Sequence, residues 1–292
     1  MSKRFGMLVV VVSAVSFGMM PLFAQLAYDE GVSTVSLLFF RFGVAAIVMT
    51  AVVLRRGDRF PRRRALVGLA LMGGVGYVGQ SFSFFSAMTL ANVGLAVILL
   101  YLHPAIVAVL SVVLLRERLT PLRAGAVALA FVGTVLTVGP QLDARPLGVL
   151  FGVASAVIYS GYIMVGTRTL KNTSPLSGSV IVMASAGLVF GGLAAAQGLT
   201  VPTSVVGWTG ILGVAVVSTV VAVTLFLVGL AAIGPTNASV LSTFEPVTAV
   251  VLAALFLDEP IGVAVAAGGA CILGAAIILA RTSDHPATRA AQ

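Results

Sequence analysis

Two ionisable residues, each followed by a proline, interrupt long apolar runs of this sequence. Glu245 and Pro246 lie within STFEPVTAVVLAALFLDEP, and His103 and Pro104 lie within LYLHPAIVAVLSVVLLRERLT. A carboxyl group and an imidazole can both exchange protons. A proline has no N–H, so it leaves a backbone carbonyl of the preceding turn without its helical partner. This chemistry suits a polar site, either for proton exchange or for contact with a polar solute, inside an apolar surrounding.

The rest of the chain must hold these residues within a membrane. Of 292 residues, 59% are hydrophobic and 9% are charged, whereas about 25% are charged in an ordinary soluble domain. Apolar segments of about 20 residues, long enough to cross a hydrocarbon core as a helix, recur along the chain. We predict an all-α integral membrane protein with ten transmembrane helices. Numbered one to ten, the predicted spans cover approximately residues 5–27, 33–54, 66–89, 92–115, 121–139, 146–168, 177–198, 205–231, 235–257 and 262–280.

The charged residues between these spans predict the orientation of the chain. With the amino terminus in the cytoplasm, the cytoplasmic loops carry Lys3, Arg4, the basic cluster at 55–64, Arg116, Arg118, Arg123, Arg168, Lys171, Arg281 and Arg289. The opposite loops carry Arg145, Asp29, Glu30, Asp143, Asp258 and Glu259. An excess of Lys and Arg marks cytoplasmic loops, so we expect an inner-membrane protein with both termini inside. The net charge of +8 therefore reflects topology, and we expect no nucleic-acid partner.

The two proline motifs correspond at a shift of about 142 residues. The shift aligns His103 with Glu245 and Glu117 with Glu259. We therefore predict two similar five-helix units, at residues 1–140 and 141–281, followed by a disordered cytoplasmic tail at 282–292. Because five is odd, the second unit must enter the membrane from the opposite face. Inverted repeats of this kind are typical of secondary transporters.

Three local motifs give the chain a resemblance to a known family. They are Phe-Phe-Arg-Phe in span two, Leu-Arg-Glu-Arg-Leu-Thr-Pro after span four, and the Glu-Pro of span nine followed by Leu-Asp-Glu-Pro. With them the chain resembles the EamA family of the drug/metabolite transporter superfamily along nearly its whole length. The resemblance implies a ten-helix exporter of amino acids or other small metabolites, and aromatic amino acid exporters are one similar branch. His103 departs from the family pattern, which has Glu at that position.

Tyrosines in unusual positions predict the wall of a binding site. Membrane proteins usually keep Tyr at the headgroup level, whereas Tyr77, Tyr101, Tyr159 and Tyr162 fall well inside their spans. These hydroxyls either form hydrogen bonds between helices or line a cavity, and their concentration on a few pseudo-symmetric helices favours a cavity. The predicted substrate-binding residues are Tyr77, Gln80, Tyr101, His103, Tyr159, Tyr162, Ser218, Thr219, Phe244 and Glu245.

Three charged or titratable residues are candidates for coupling transport to a driving force: Glu245, His103 and Arg41. Glu245 either faces a pathway, as intramembrane acids commonly do, or accepts hydrogen bonds from Ser242 or Thr243. His103 either exchanges protons or binds a backbone carbonyl. Arg41 either binds a substrate carboxylate or extends outward to headgroups, Asp29 or Glu30, and its position near the outer end of span two favours the outward arrangement.

Several other classes of site are not supported by the sequence. Gly74-Val-Gly76-Tyr-Val-Gly79 matches a dinucleotide fingerprint but lies inside span three without a preceding strand. Its glycines, and the spaced pairs Gly148/Gly152 and Gly187/Gly191, favour close helix packing. We expect no cofactor, metal site or catalytic residues, and the oligomeric state stays open.

The sequence predicts a secondary transporter that exports small metabolites, most simply aromatic or other neutral amino acids, by alternating access around a midplane cavity. Its expected partners are a small-molecule substrate and the lipid bilayer. An uncoupled facilitator or channel is the alternative. A membrane-embedded enzyme using His103 and Glu245 would need a nucleophile or metal that the sequence does not show.

Both termini are expected in the cytoplasm because of the basic loops described above. Fusions of a reporter that is active only in the periplasm should therefore be inactive at the carboxyl terminus. The same reporter inserted between spans one and two serves as the positive control. Periplasmic activity of the carboxyl-terminal fusion would contradict this topology.

Overall fold

A computed structural model describes residues 3–90, 96, 99–116, 120–138, 145–170, 173–256 and 262–283. Several residues used in the sequence analysis lie outside this part of the chain: Glu117, Arg118, Asp143, Lys171, Asp258, Glu259, Pro260 and Arg289. The predicted tail lies outside it from residue 284 onward. The last helix continues to Ser283, and the disordered tail stays a prediction.

The described residues form helices and turns, with no strands. In the first half the helices are α1 (Lys3–Gly18), α2 (Met20–Tyr28), α3 (Thr34–Arg56), α4 (Arg64–Leu71), π1 (Met72–Tyr77), α5 (Val78–Leu90), α6 (His103–Leu115) and α7 (Pro121–Val138). In the second half they are α8 (Pro146–Thr169), α9 (Pro175–Gln197), α10 (Val205–Leu212), π2 (Gly213–Val221), α11 (Ala222–Ile233), α12 (Pro235–Leu241), α13 (Phe244–Phe256) and α14 (Val263–Ser283).

Six helical stretches of the described chain are long and apolar enough to cross a membrane. They are Lys3–Tyr28, Thr34–Arg56, Arg64–Phe84, Pro146–Thr169, Pro175–Gln197 and Val205–Ile233. Shorter apolar helices lie in the regions of spans four, five and ten. Apolar side chains face outward along these helices, with Val263 88% and Leu188 78% exposed, as expected where lipid replaces water. The chain is thus a multi-pass membrane protein, and the number of ten spans stays a prediction.

The helices of the two halves interleave. The most extensive contacts join α7 to α14, α3 to α9, α1 to α11 and α5 to α8. Adding 142 to the residue numbers converts α3 into α9 and α7 into α14, and it exchanges the α1–α11 pair with the α8–α5 pair. The contacts are therefore those expected of two related halves. The inverted orientation of the second half stays a prediction.

Span one is interrupted, although the sequence analysis treated it as one continuous helix. The chain turns at Met19 and begins α2 at Met20. Pro21 explains the interruption, because its ring clashes with the preceding turn and it cannot donate the helical hydrogen bond to the Phe17 carbonyl. The break packs against the second half, since a Cβ on Gly18 would lie 2.7 Å from the Glu245 carbonyl oxygen.

Glycines allow the closest helix contacts, as the spacing of the small residues predicted. A Cβ on Gly152 would meet the Leu99 side chain, and one on Gly187 would meet the backbone of Phe42 and Gly43. The tightest approach is at Gly73 in π1, which the sequence analysis did not single out. There a Cβ would overlap the Val182 carbonyl oxygen of α9.

Gly73→Ala is expected to lower the thermal stability of the purified protein, because the Val182 carbonyl belongs to the helix backbone and cannot rotate away. Overpacking of this kind typically costs about 1–3 kcal/mol. Gly161→Ala is the matched control, since a Cβ at Gly161 has open space around it. Equal melting temperatures for the two variants would show that π1 and α9 do not pack as described.

Candidate functional site

The first proline motif begins α6 after a turn. Residues 101–102 form the turn, and the helix starts at His103. Pro104 leaves the Leu100 carbonyl without its helical partner, and the His103 ring supplies one instead, with 3.0 Å between Nδ1 and the carbonyl oxygen. Because a carbonyl only accepts, Nδ1 carries the proton of this hydrogen bond. The imidazole therefore holds the break together and leaves Nε2 for a second contact.

The second proline motif has the same construction. Residues 242–243 form a turn before α13 begins at Phe244. Pro246 leaves the Ser242 carbonyl without its helical partner, and here the backbone N–H of Glu245 donates to it at 3.0 Å. The Glu245 side chain is thus not needed to satisfy the freed carbonyl. It differs in this respect from His103, its counterpart in the first half.

The hydroxyls beside Glu245 do not donate to its carboxylate. Ser242 donates to the Ser239 carbonyl, and Thr243 donates to the Val240 carbonyl, each at 2.7 Å. Each hydroxyl has a single proton, so neither also donates to Glu245 in this arrangement. This finding argues against the structural alternative, in which those hydroxyls would satisfy Glu245 within its own helix break.

A hydrogen bond joins the two breaks directly. His103 Nε2 lies 3.2 Å from Ser242 Oγ. His103 is also buried against α8, where the Ser160 hydroxyl lies 3.4 Å from the backbone carbonyl oxygen of His103. With the proton on Nδ1, Nε2 of a neutral imidazole can only accept, so the Ser242 hydroxyl must turn from the Ser239 carbonyl to donate to Nε2. Nε2 can donate to Ser242 Oγ only when the ring carries a second proton. The link between the halves thus depends on where one proton resides.

Arg41 is buried, with 4% of its surface exposed. Its Nε donates to Thr219 Oγ1 at 2.7 Å and its Nη2 donates to the Tyr77 hydroxyl at 3.0 Å. The guanidinium carbon also lies 4.9 Å from the centre of the Phe42 ring. The expectation that Arg41 extends to headgroups, Asp29 or Glu30 is therefore wrong. The reason is that inward hydroxyls and aromatic faces satisfy the guanidinium without any need to reach water.

Both hydroxyls that bind Arg41 belong to π-helices. Tyr77 is the last residue of π1, and Thr219 lies within π2. The two residues are also counterparts, since 77 plus 142 is 219. Thr219 donates its own proton to the Val214 carbonyl five residues back, at 2.8 Å, so its oxygen is available as an acceptor for Arg41. π-helical turns are rare and frequently occur at functional sites, and here one from each half meets at a single cation.

The four intramembrane tyrosines and His103 form one continuous set of ring contacts, which we name the central aromatic group. Ring centroids are 5.7 Å apart for Tyr77 and Tyr162, and 5.9 Å apart for Tyr162 and Tyr159. The contacts continue from Tyr159 to His103 at 4.8 Å and from His103 to Tyr101 at 5.5 Å. Residues predicted from three separate spans are thus brought together.

Two phenylalanines extend the central aromatic group and were missed by the sequence analysis. Phe42 contacts Tyr77 at 5.1 Å, and Phe226 contacts Tyr159 at 6.3 Å between centroids. Phe42 follows Arg41 in the Phe-Phe-Arg-Phe motif, which was a usable signal. Phe226 had none, because a phenylalanine in an apolar span is ordinary.

Three buried hydroxyls have no hydrogen-bond partner in the described part of the chain: those of Tyr101 and Tyr162, which belong to this group, and that of Ser218, which precedes Thr219 in π2. The Tyr101 hydroxyl lies next to the Glu245 carboxylate, but the contact lacks the geometry of a hydrogen bond. Glu245 is also within electrostatic range of Arg41, and the two form no ion pair. A buried cation and a half-buried carboxylate thus share one aromatic surrounding without neutralising each other.

Two predicted site residues lie at the edge of this arrangement. Gln80 is half-buried, and its side-chain amide oxygen accepts a long hydrogen bond of 3.5 Å from the hydroxyl of the neighbouring Ser81. Phe244 is half-buried at the start of α13 and packs against the main hydrophobic core. The structure gives neither residue a ring contact with the central aromatic group.

The two ends of the molecule differ. At the end that holds Glu30, the Ser33 N–H donates to the Thr200 hydroxyl at 2.7 Å and the Thr203 hydroxyl donates to Glu30 at 3.1 Å. Hydrogen bonds from Ser204 and Thr203 lower the pKa of Glu30 below its ordinary value of 4.5, so the carboxylate keeps these bonds at neutral pH. The opposite end has a cavity of about 270 Å³. It is lined by Leu115, Thr167, Leu170, Leu230, Ala231, Gly234 and Pro235.

In the described residues, no group of three His, Cys, Asp or Glu side chains could hold a metal ion. Both halves of the chain match one family of known proteins. The EamA-like transporter family matches residues 4–139 and again residues 146–281. The chain belongs to this family. It is therefore a membrane transporter, and the family gives no indication of an enzyme.

Two relatives that match nearly the whole chain carry transporter names. The chain is 28% identical over 275 residues to an uncharacterized transporter of Archaeoglobus fulgidus, covering 94% of this chain and 96% of the relative. It is 24% identical over 298 residues to the uncharacterized inner membrane transporter YicL of Salmonella typhimurium, covering 99% of both. A crystal structure with 21% identity superposes with a TM-score of 0.82 over 96% of this chain and 99% of that one. This last similarity shows a shared fold.

Proposed function

We propose that the protein is a secondary transporter that exports small metabolites. The substrate class that we favour is aromatic or other neutral amino acids. The observation that carries the proposal is the buried centre between the halves. There Arg41 and Glu245 face the central aromatic group without pairing, and the Tyr101, Tyr162 and Ser218 hydroxyls have no partner among the described residues. A polar solute of suitable shape would satisfy these groups.

The composition of the centre favours a zwitterion with an apolar side chain. One cation and one carboxylate complement one anionic and one cationic group of a solute. The rings of Tyr77, Tyr159 and Tyr162 offer faces and edges on which a planar or apolar side chain can pack. A phosphate or polyanion would require several Lys or Arg, and the described centre contains Arg41 alone.

Alternating access is supported by the relation between the halves and by the two ends. The helix contacts and π-helices correspond at the 142-residue shift, so the halves can exchange conformations in the way that inverted repeats do. The end with Glu30 is bridged by hydrogen bonds, whereas the other end has the cavity at Leu115 and Leu230. With both termini in the cytoplasm, that cavity opens inward. A solute would enter there and leave after the Glu30 end opens.

We assign the coupling of transport to protons to the two helix breaks. His103 begins α6, Glu245 lies in the first turn of α13, and the hydrogen bond between His103 and Ser242 joins these breaks. A change of proton at either residue would alter the contact between the halves. Arg41, which is hydrogen-bonded to Tyr77 and Thr219, would contribute by binding the solute.

Tyr101→Ala is expected to reduce transport of large neutral amino acids per folded molecule by about tenfold. The reason is that it removes both a ring of the central aromatic group and a hydroxyl beside Glu245. Efflux of a panel of labelled amino acids from cells measures the effect, normalised to folded protein. Tyr28→Ala is the matched control, because Tyr28 lies at the Glu30 end. Gln80→Ala tests the edge of the site, and wild-type transport in the Tyr101 variant would show that the substrate binds elsewhere.

Glu245→Gln keeps the shape of the side chain and removes its titrating charge. We expect it to abolish transport or to change its pH profile, with little effect on thermal stability. His103→Gln should give a related but different defect, because His103 also holds the Leu100 carbonyl. The measurement is efflux rate against pH for the three proteins. Coupling through Glu245 is ruled out if its Gln variant exports with an unaltered rate and pH profile.

A further inference from the structure

The two donors of Arg41 that are in use lie on one edge of the guanidinium. Nε and Nη2 present parallel N–H groups, and this is an edge on which a carboxylate binds with both oxygens. In the structure Thr219 Oγ1 and the Tyr77 hydroxyl occupy these two positions, at 2.7 Å and 3.0 Å. Two separate hydroxyl oxygens, one from each half, therefore stand where the two oxygens of one carboxylate would fit.

The same contacts hold the two π-helices to each other. Tyr77 ends π1 and Thr219 lies within π2, so Arg41 of α3 is bound to both at once. Hydrogen bonds to a neutral hydroxyl are weaker than those to a carboxylate, because only in the second case do both partners carry charge. A carboxylate that reached Arg41 would thus be able to displace both hydroxyls.

Glu245 is the candidate for binding the opposite pole of the same solute. It lies within electrostatic range of Arg41 but forms no ion pair with it, and the Tyr101 hydroxyl is beside it. Direct pairing of Arg41 with Glu245 would block both groups. The separation instead leaves one group for a carboxylate and the other for an ammonium group.

We infer that Arg41 is the carboxylate-binding residue of the transport site, and that the substrate carboxylate replaces the Tyr77 and Thr219 hydroxyls on Nε and Nη2. Binding then removes the link that Arg41 makes between π1 and π2, which is one of the contacts that join the two halves. This inference rests on the proposed function, because it assigns the two poles of an amino acid to residues of that site. It adds that substrate binding itself breaks the hydrogen bonds by which Arg41 links π1 to π2.

The test compares L-phenylalanine with L-phenylalaninamide, which keeps the ammonium group and the ring but has no carboxylate. Dissociation constants are measured from ligand-induced thermal stabilisation of the purified protein. The wild type should bind phenylalanine at least about tenfold more tightly than the amide, as expected for a bidentate charge-assisted pair. In Arg41→Gln the ratio should fall to about one, and in Arg41→Lys it should be intermediate. Because each ratio is taken within one protein, a lower yield of folded variant does not affect it.

Tyr77→Phe separates displacement from a purely structural role. If the Tyr77 hydroxyl competes with the substrate carboxylate, its removal should tighten phenylalanine binding by about threefold and leave amide binding unchanged. If Tyr77 only supports the fold, both ligands should bind more weakly, and the displacement is refuted. Wild-type selectivity retained in both Arg41 variants would refute the carboxylate role alone. A wild type that binds neither compound would refute the proposed substrate class and this inference with it.

Discussion

A cation removed from water in the middle of a membrane protein must be satisfied by the protein itself, and this constraint organises the centre of the structure. Placing Arg at the centre of a spanning helix costs roughly 2.5–3.5 kcal/mol on insertion scales, and Arg41, although nearer the amino-terminal end of α3, is buried as well. Arg41 offsets that cost with Thr219, the Tyr77 hydroxyl and the Phe42 ring. The two hydroxyls come from different halves, so the stability of the charge depends on how the halves are arranged. Any motion that separates π1 from π2 must supply new partners for Arg41.

At the helix breaks, the protein likewise satisfies buried polar groups with its own residues. Each proline releases one carbonyl, and the chain satisfies it with a residue that also faces the centre: a ring nitrogen of His103 in one half and the backbone of Glu245 in the other. Because the backbone N–H carries out this task at Glu245, the carboxylate there stays available. The halves are thus similar in construction but unequal in chemistry.

Much of the centre could be predicted from the sequence, because it contains polar and ionisable residues at positions inside apolar spans. Tyrosines deep in apolar spans need polar partners there, and Tyr77, Tyr101, Tyr159, Tyr162 and His103 do lie together. Arg41 was assigned the wrong direction, because depth along a helix does not reveal which neighbours can satisfy a long side chain. The π-helices and the approach of Gly73 to Val182 depend on packing against distant segments. No local pattern encodes them.

The central claim is that the protein moves a small zwitterion across the membrane by alternating access and couples this movement to protons. Flux of labelled phenylalanine in proteoliposomes, with and without a pH gradient, tests it most directly. The account predicts saturable flux, counterflow driven by unlabelled phenylalanine on the opposite side, and faster net transport when the gradient is imposed. Flux that does not saturate and shows no counterflow would indicate a channel and contradict the account. A chemically altered product recovered from the vesicles would contradict it in favour of an enzyme.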